Sequence, residues 1–181
     1  MDIAAQILSI FGMLFNLLSY QQKAHKRAIT FQLLGCFAFF TSYFLLGATV
    51  GAILNIVGVF RSLLFLFEEK TNAYHPFWLL LFITFFALSY PLVFLVFDKE
   101  PSVKNLIIEI LPVIAMIVAT LSIRMGSSRA IRYMGLITSP LWLIYNIVCF
   151  SIGAIIGEIL NFSSIIIGIF RHDVKKTNKT K

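Results

Sequence analysis

Three polar side chains stand in runs of sequence otherwise made of hydrocarbon. Glu158 and Asn161 close "SIGAIIGEILN" (Ser151–Asn161), and Asn55 closes "LGATVGAILN" (Leu46–Asn55). An ionisable group in the middle of a membrane helix costs about 2.5–3.5 kcal/mol on insertion scales, so it needs a partner or a watery cavity. The chemistry on offer is binding rather than bond making. An asparagine presents a donor and an acceptor together, and a carboxylate takes N–H or O–H donors, a cation or a proton.

The spacing places these groups on defined faces. Gly51, Asn55, Gly58 and Ser62 recur at i, i+4, i+7 and i+11, and Gly157, Asn161, Ser164 and Gly168 repeat that interval. The two asparagines would then face each other, with small residues leaving room for a ligand between them. The same pattern also serves tight helix packing, in which a buried asparagine bonds across an interface. Glu158 favours a pathway, because packing alone does not require a carboxylate. Its role divides between holding a polar solute, coupling a proton and pairing with Arg61.

Further candidates flank that set. Trp142 and Tyr145 in "SPLWLIYN" share a face, as do Phe39 and Tyr43 in "FAFFTSY", and an amide beside aromatic rings suits a sugar or heterocycle. Aromatics at helical spacing also serve as core or interfacial belt. Arg61, Glu109 and Asn146 are polar positions with coupling or structural roles, and Pro112 is a hinge or a fixed kink. Nothing forms a catalytic set: His25, His75 and His172 fall in loops, and Gly-rich phosphate loops are absent. Cys36 and Cys149 lie at different depths, which argues against a disulfide, and neither has a nearby Cys or His to suggest metal. The chain therefore reads as a non-enzyme without cofactor or metal.

The elements that must position these residues follow from composition. Of 181 residues, 59% are hydrophobic and 13% charged, far from the balance of soluble domains. About 20 apolar residues span a bilayer as a helix. Charge-free runs predict an all-α, polytopic membrane protein with seven spans. They cover about Ile3–Tyr20, Ala28–Leu46, Thr49–Phe67, Phe77–Phe97, Asn105–Ile123, Ile131–Phe150 and Ile152–Phe170. Lys23, Lys26, Arg27, Lys70, Arg124, Arg129, Arg132 and the tail from Arg171 would share one side, leaving Lys99 and Lys104 on the other. That asymmetry puts the N-terminus outside and the C-terminus in the cytoplasm. The net charge of +7 is then a topology signal rather than a nucleic-acid footprint. "MDIAAQ" lacks signal-peptide features, so the first span is expected to be retained.

An internal repeat organises the runs. "KRAITF" (Lys26–Phe31) answers "SRAIRY" (Ser128–Tyr133), and "GATVGAILN" answers "GAIIGEILN" with Glu158 replacing Ala52. The matches predict two parallel three-helix repeats joined by a linker helix, a 3+1+3 plan. Its segments are residues 1–70, the linker 71–102, residues 103–172 and a basic tail 173–181. Parallel repeats of this kind occur in secondary transporters, with the site at the repeat interface. The expected function is transport of a small polar solute by rocking one unit against the other. The alternative is a sensor, scaffold or partner subunit of the same fold. The expected partners are the lipid bilayer and that solute, with homo-oligomerisation left open.

Over essentially its whole length the chain resembles the YgjV family of bacterial inner-membrane proteins. The resemblance is carried by "EILPVI" (Glu109–Ile114), "AILN" (Ala52–Asn55), "WLIYN" (Trp142–Asn146) and "IGE" (Ile156–Glu158). It implies an inner-membrane location and brings no mechanism. The layout is more remotely similar to SWEET sugar transporters and PnuC-type vitamin transporters. In the SWEET group an aromatic on the second helix of each unit and an asparagine about sixteen residues later line the substrate site. That resemblance implies Phe39 with Asn55 and Tyr145 with Asn161; Trp142, one turn earlier, competes for the second role. The Pro-Gln pair of SWEET-like first helices is missing, since "SYQQ" (Ser19–Gln22) keeps glutamine without proline.

Overall fold

The computed structural model describes residues 3–46, 48–148 and 152–174. Gly47, Cys149 and the basic tail beyond Val174 lie outside the described residues, so the expectations that fall on them stay with the sequence.

Every predicted apolar run is helical over most of its described length. The elements are α1 (Ile3–Gln21), α2 (His25–Leu45), α3 (Thr49–Leu66), a single turn α4 (Glu68–Thr71), α5 (Pro76–Leu95), α6 (Val103–Arg124), α7 (Ser128–Val148) and α8 (Ile152–Ile169). A π-helical turn, Phe170–Val174, continues α8. Local chemistry sets their ends. His75 Nδ1 accepts the Phe77 N–H at 3.2 Å with Pro76 in the first turn, and Ser102 Oγ accepts the Asn105 N–H at 3.2 Å. Gly126, at φ +64°, turns the chain from α6 into α7, a conformation that favours glycine.

By length and composition, five helical stretches suffice to cross a membrane: α1, α2, α5, α6 and Ala154–Asp173. The apolar part of α3, Val50–Leu66, is shorter. The remaining helix, α7, carries Arg129, Arg132, Thr138, Ser139 and Asn146 along its length, and all but Arg129 are buried. Its polarity is turned inward, towards the other helices.

Packing follows chain order on both sides of α5. α1 packs on α2 and α2 on α3; α6 packs on α7 and α7 on α8. Between these groups α1 lies against α8 and α3 against α6, while α5 touches α3 and α6. A core of Val50, Leu54, Phe82, Phe86, Val93, Val113 and Met116 holds α5 in place. A second core of Ala28, Ile29, Phe65, Ala73, Ile123 and Ile131 closes one end of the bundle. It gathers the start of α2, the ends of α3 and α6 and the start of α7.

The outer surface is apolar to a degree that water would not tolerate. Phe37, Phe44, Phe60, Leu80, Leu88 and Leu95 are all exposed, as are many aliphatic neighbours. Several serines are instead buried and bonded. Ser42 Oγ donates to the Ala5 carbonyl at 2.8 Å, tying α2 to α1, and Ser19 Oγ donates to the Ala28 carbonyl at 3.0 Å. In a hydrocarbon surround each unsatisfied polar group costs several kcal/mol, so polar side chains collect inside.

Candidate functional site

Most of the polar residues singled out in the sequence meet in one internal cavity of about 90 Å³. From α3 come Asn55 and Arg61; from α8, Glu158 and Asn161; from α7, Trp142 and Asn146; from α2, Phe39. Asn55, Arg61, Asn146 and Asn161 are buried. The helical interval explains the convergence: 154, 158 and 161 on α8 and 139, 142 and 146 on α7 each form one stripe facing inward.

The hydrogen bonds divide the site into two chemically different walls. Arg61 Nη1 donates to Thr120 Oγ1 at 3.1 Å and to the Met116 carbonyl at 3.4 Å, both neutral acceptors on α6. Its Nε is buried without a partner. On the other wall, Ser139 Oγ donates to Glu158 Oε2 at 2.7 Å, and the Asn161 side chain lies against the same carboxylate. Asn161 Oδ1 and Asn146 Oδ1 are buried acceptors with no partner. Asn55 uses its amide to donate to the Gly51 carbonyl at 2.8 Å, one turn back on its own helix. The ion pair between Arg61 and Glu158 that the sequence allowed does not form. Among the described residues neither side chain makes a salt bridge.

Three predicted residues lie elsewhere. Tyr145 is buried beside the site rather than lining it, its ring edge-on to Trp142 with centroids 5.9 Å apart. Of the competing aromatics on α7, Trp142 is therefore the one at the cavity. Glu109, fully buried near the start of α6, forms an ion pair with Lys99. Pro112 is buried within α6, which continues unbroken from Val103 to Arg124.

The glycine stripes correct a further expectation. A Cβ on Gly51 would stand 2.9 Å from the Tyr43 ring, and one on Gly168 only 2.7 Å from the Tyr20 carbonyl oxygen. These glycines close helix contacts and leave no ligand space beside them. The asparagines of the same stripes do reach the cavity, so one helix face performs both tasks. Two of the histidines differ from the loop assignment, since His25 begins α2 and His172 sits in the π-helical turn, whereas His75 lies in the connection before α5 and caps it.

Ser139, Thr138, Gln32, Cys36, Tyr20 and Asn16 line the cavity and were not singled out. A signal was present. Gln32, Cys36, Phe39 and Tyr43 fall at i, i+4, i+7 and i+11 of α2, and Asn16 and Tyr20 are one turn apart on α1. They lie outside the repeated glycine and asparagine stripes of α3 and α8.

An apolar exterior, inward-facing polar helices and a charged internal cavity define a multi-helix integral membrane protein. Residues 3–176 match the family model of YgjV-type bacterial inner membrane proteins, and the chain belongs to that family. Neither curated proteins nor solved structures give a match.

Proposed function

We propose that the protein moves a small polar solute across the inner membrane through the cavity, by rocking two three-helix units against each other. The units are α1–α3 and α6–α8, with α5 as the linker that lets both enter the membrane the same way up. The observation that carries this reading is a buried polar cavity, lined from both units, whose two ionisable side chains Arg61 and Glu158 make no salt bridge among the described residues. Charges in such a place are retained for binding or conduction more readily than for stability.

Further support comes from the contacts and the sequence. α1 against α8 and α6 against α3 are the pair of contacts a twofold axis between the units would relate. The repeated "GAxxGxILN" motif supplies Asn55 from one unit and Asn161 from the other. The basic residues near one end of the bundle favour a cytoplasmic C-terminus and an outside N-terminus. No chemical change to the solute is part of this reading.

The test is ligand-induced thermal stabilisation of the purified protein across small polar solutes. At a ligand concentration about 100 times Kd, stabilisation amounts to about 2.7 kcal/mol, enough to read as a clear shift in Tm. Asn161→Leu is expected to abolish any such shift. An unchanged shift would remove Asn161 from the site.

A further inference from the structure

The two walls of the cavity are opposite in hydrogen-bonding character, and that difference specifies the solute. Arg61 is a pure donor: a guanidinium carries five N–H groups and cannot be deprotonated in a protein. Its two hydrogen bonds, both through Nη1, satisfy only part of that capacity, and Nε is left buried and unpartnered. A planar donor fork with unused N–H groups matches a carboxylate.

Other side chains lining the cavity offer unused acceptors. Glu158 keeps lone pairs beyond the contacts it takes from Ser139 and the Asn161 side chain, and Asn161 Oδ1 and Asn146 Oδ1 are buried without partners. Trp142 lines the same space, and indole is the strongest aromatic partner for an ammonium. Three oxygen-bearing side chains and an indole around one space call for a compact group with several N–H donors. A neutral sugar would satisfy the acceptors while leaving the guanidinium without an anion. A simple anion would satisfy Arg61 while facing a carboxylate.

We propose that the occupant is a small zwitterion of the amino-acid class, its carboxylate held by Arg61 and its ammonium by Glu158, Asn161 and Asn146. This inference rests on reading the cavity as a solute site and narrows that reading to one charge pattern. The volume of about 90 Å³ agrees, being far below the roughly 300–1,000 Å³ of pockets for drug-sized ligands.

The experiment measures binding to the purified protein by calorimetry, using four small probes that differ in charge. These are alanine (both charges), propionate (anion only), ethylamine (cation only) and glucose (neither). A probe that lacks one of the two charges is expected to bind about tenfold more weakly or worse. Alanine should therefore bind at least that much tighter than propionate or ethylamine. Glu158→Gln should narrow or reverse the preference for alanine over propionate, and Arg61→Gln should remove the preference for alanine over ethylamine. The wild-type selectivity decides the matter even if a variant fails to fold. Glucose binding without discrimination by charge would overturn the zwitterion while leaving a solute site standing. Failure of all four probes to bind at millimolar concentration would overturn both.

Discussion

Two kinds of buried charge coexist in this bundle, and they are treated in opposite ways. At the end near the start of α7, Arg132 is almost fully buried and forms a bidentate pair with Asp173, with Nε and Nη2 contacts of 2.9 and 2.8 Å. Its Nη1 donates to the Gln22 carbonyl at 3.0 Å, and Arg129 approaches the same aspartate at 3.5 Å. At the opposite end Glu109 is buried against Lys99. In the cavity between them, Arg61 and Glu158 have no counter-ion among the described residues. Charges that join helices are neutralised internally, whereas Arg61 and Glu158 at the cavity make no salt bridge among the described residues.

That contrast orders the expected consequences of mutation. The largest falls on Asp173→Ala, which strands the buried Arg132 guanidinium. Removing one partner of a buried pair costs about 3–5 kcal/mol, to be read as a lowered denaturation temperature. The double variant Arg132→Met/Asp173→Leu should recover most of that loss, because it removes the stranded charge as well. A double variant no better than Asp173→Ala would show that the pair is not the source of the effect.

Lys99→Ala should cost less, about 1–3 kcal/mol, although it leaves Glu109 uncompensated. The Lys99 side chain is 36% exposed, so water can take over part of its role. Gly168→Ala probes close packing instead of charge. With the Tyr20 carbonyl oxygen 2.7 Å from the new methyl and Arg132 Cδ at 2.9 Å, a loss of about 1–3 kcal/mol is expected in thermal unfolding.

Arg61→Met should behave in the opposite sense. It deletes a charge that has no salt-bridge partner among the described residues, so ligand-free protein should be as stable as the parent or more so, while stabilisation by ligand disappears. Marked destabilisation of the ligand-free form would mean that the Thr120 and Met116 contacts make Arg61 structural. The smallest effect is expected from Lys26→Ala. Its pairing with Glu69 at 3.1 Å is exposed, and denaturation temperature should not change measurably.

The helices were legible because the physics that forms them is local. Apolar runs between Lys, Arg and Gly mark α1, α2, α5 and α6 directly, and α4 escaped because "EEKT" is too short to show a period. The cavity was legible in part, since Asn55, Asn161, Glu158, Arg61, Trp142, Asn146 and Phe39 sit at inward positions of regular helices. What stayed hidden is non-local. Arg132 reads as one more cytoplasmic topology charge, yet it is bonded to an aspartate 41 positions away. The segment from Arg171 reads as the start of a solvated basic tail, but Asp173 folds back to that pair and His172 Nε2 lies 3.1 Å from the Gln21 carbonyl oxygen. No periodicity in one helix reveals which side chain of another it will meet.

The central claim is that the cavity is a route rather than a packing defect, and Cys36 tests it without knowledge of the solute. This free thiol lines the cavity from α2, and a Cys149→Ser background leaves it as the sole cysteine. Its labelling by a charged, membrane-impermeant thiol reagent can be measured in right-side-out and in inverted membrane vesicles. A cavity that opens alternately to the two sides predicts labelling of Cys36 in both preparations. Labelling from one side only would mark a receptor-like pocket, and labelling from neither would contradict the transport account.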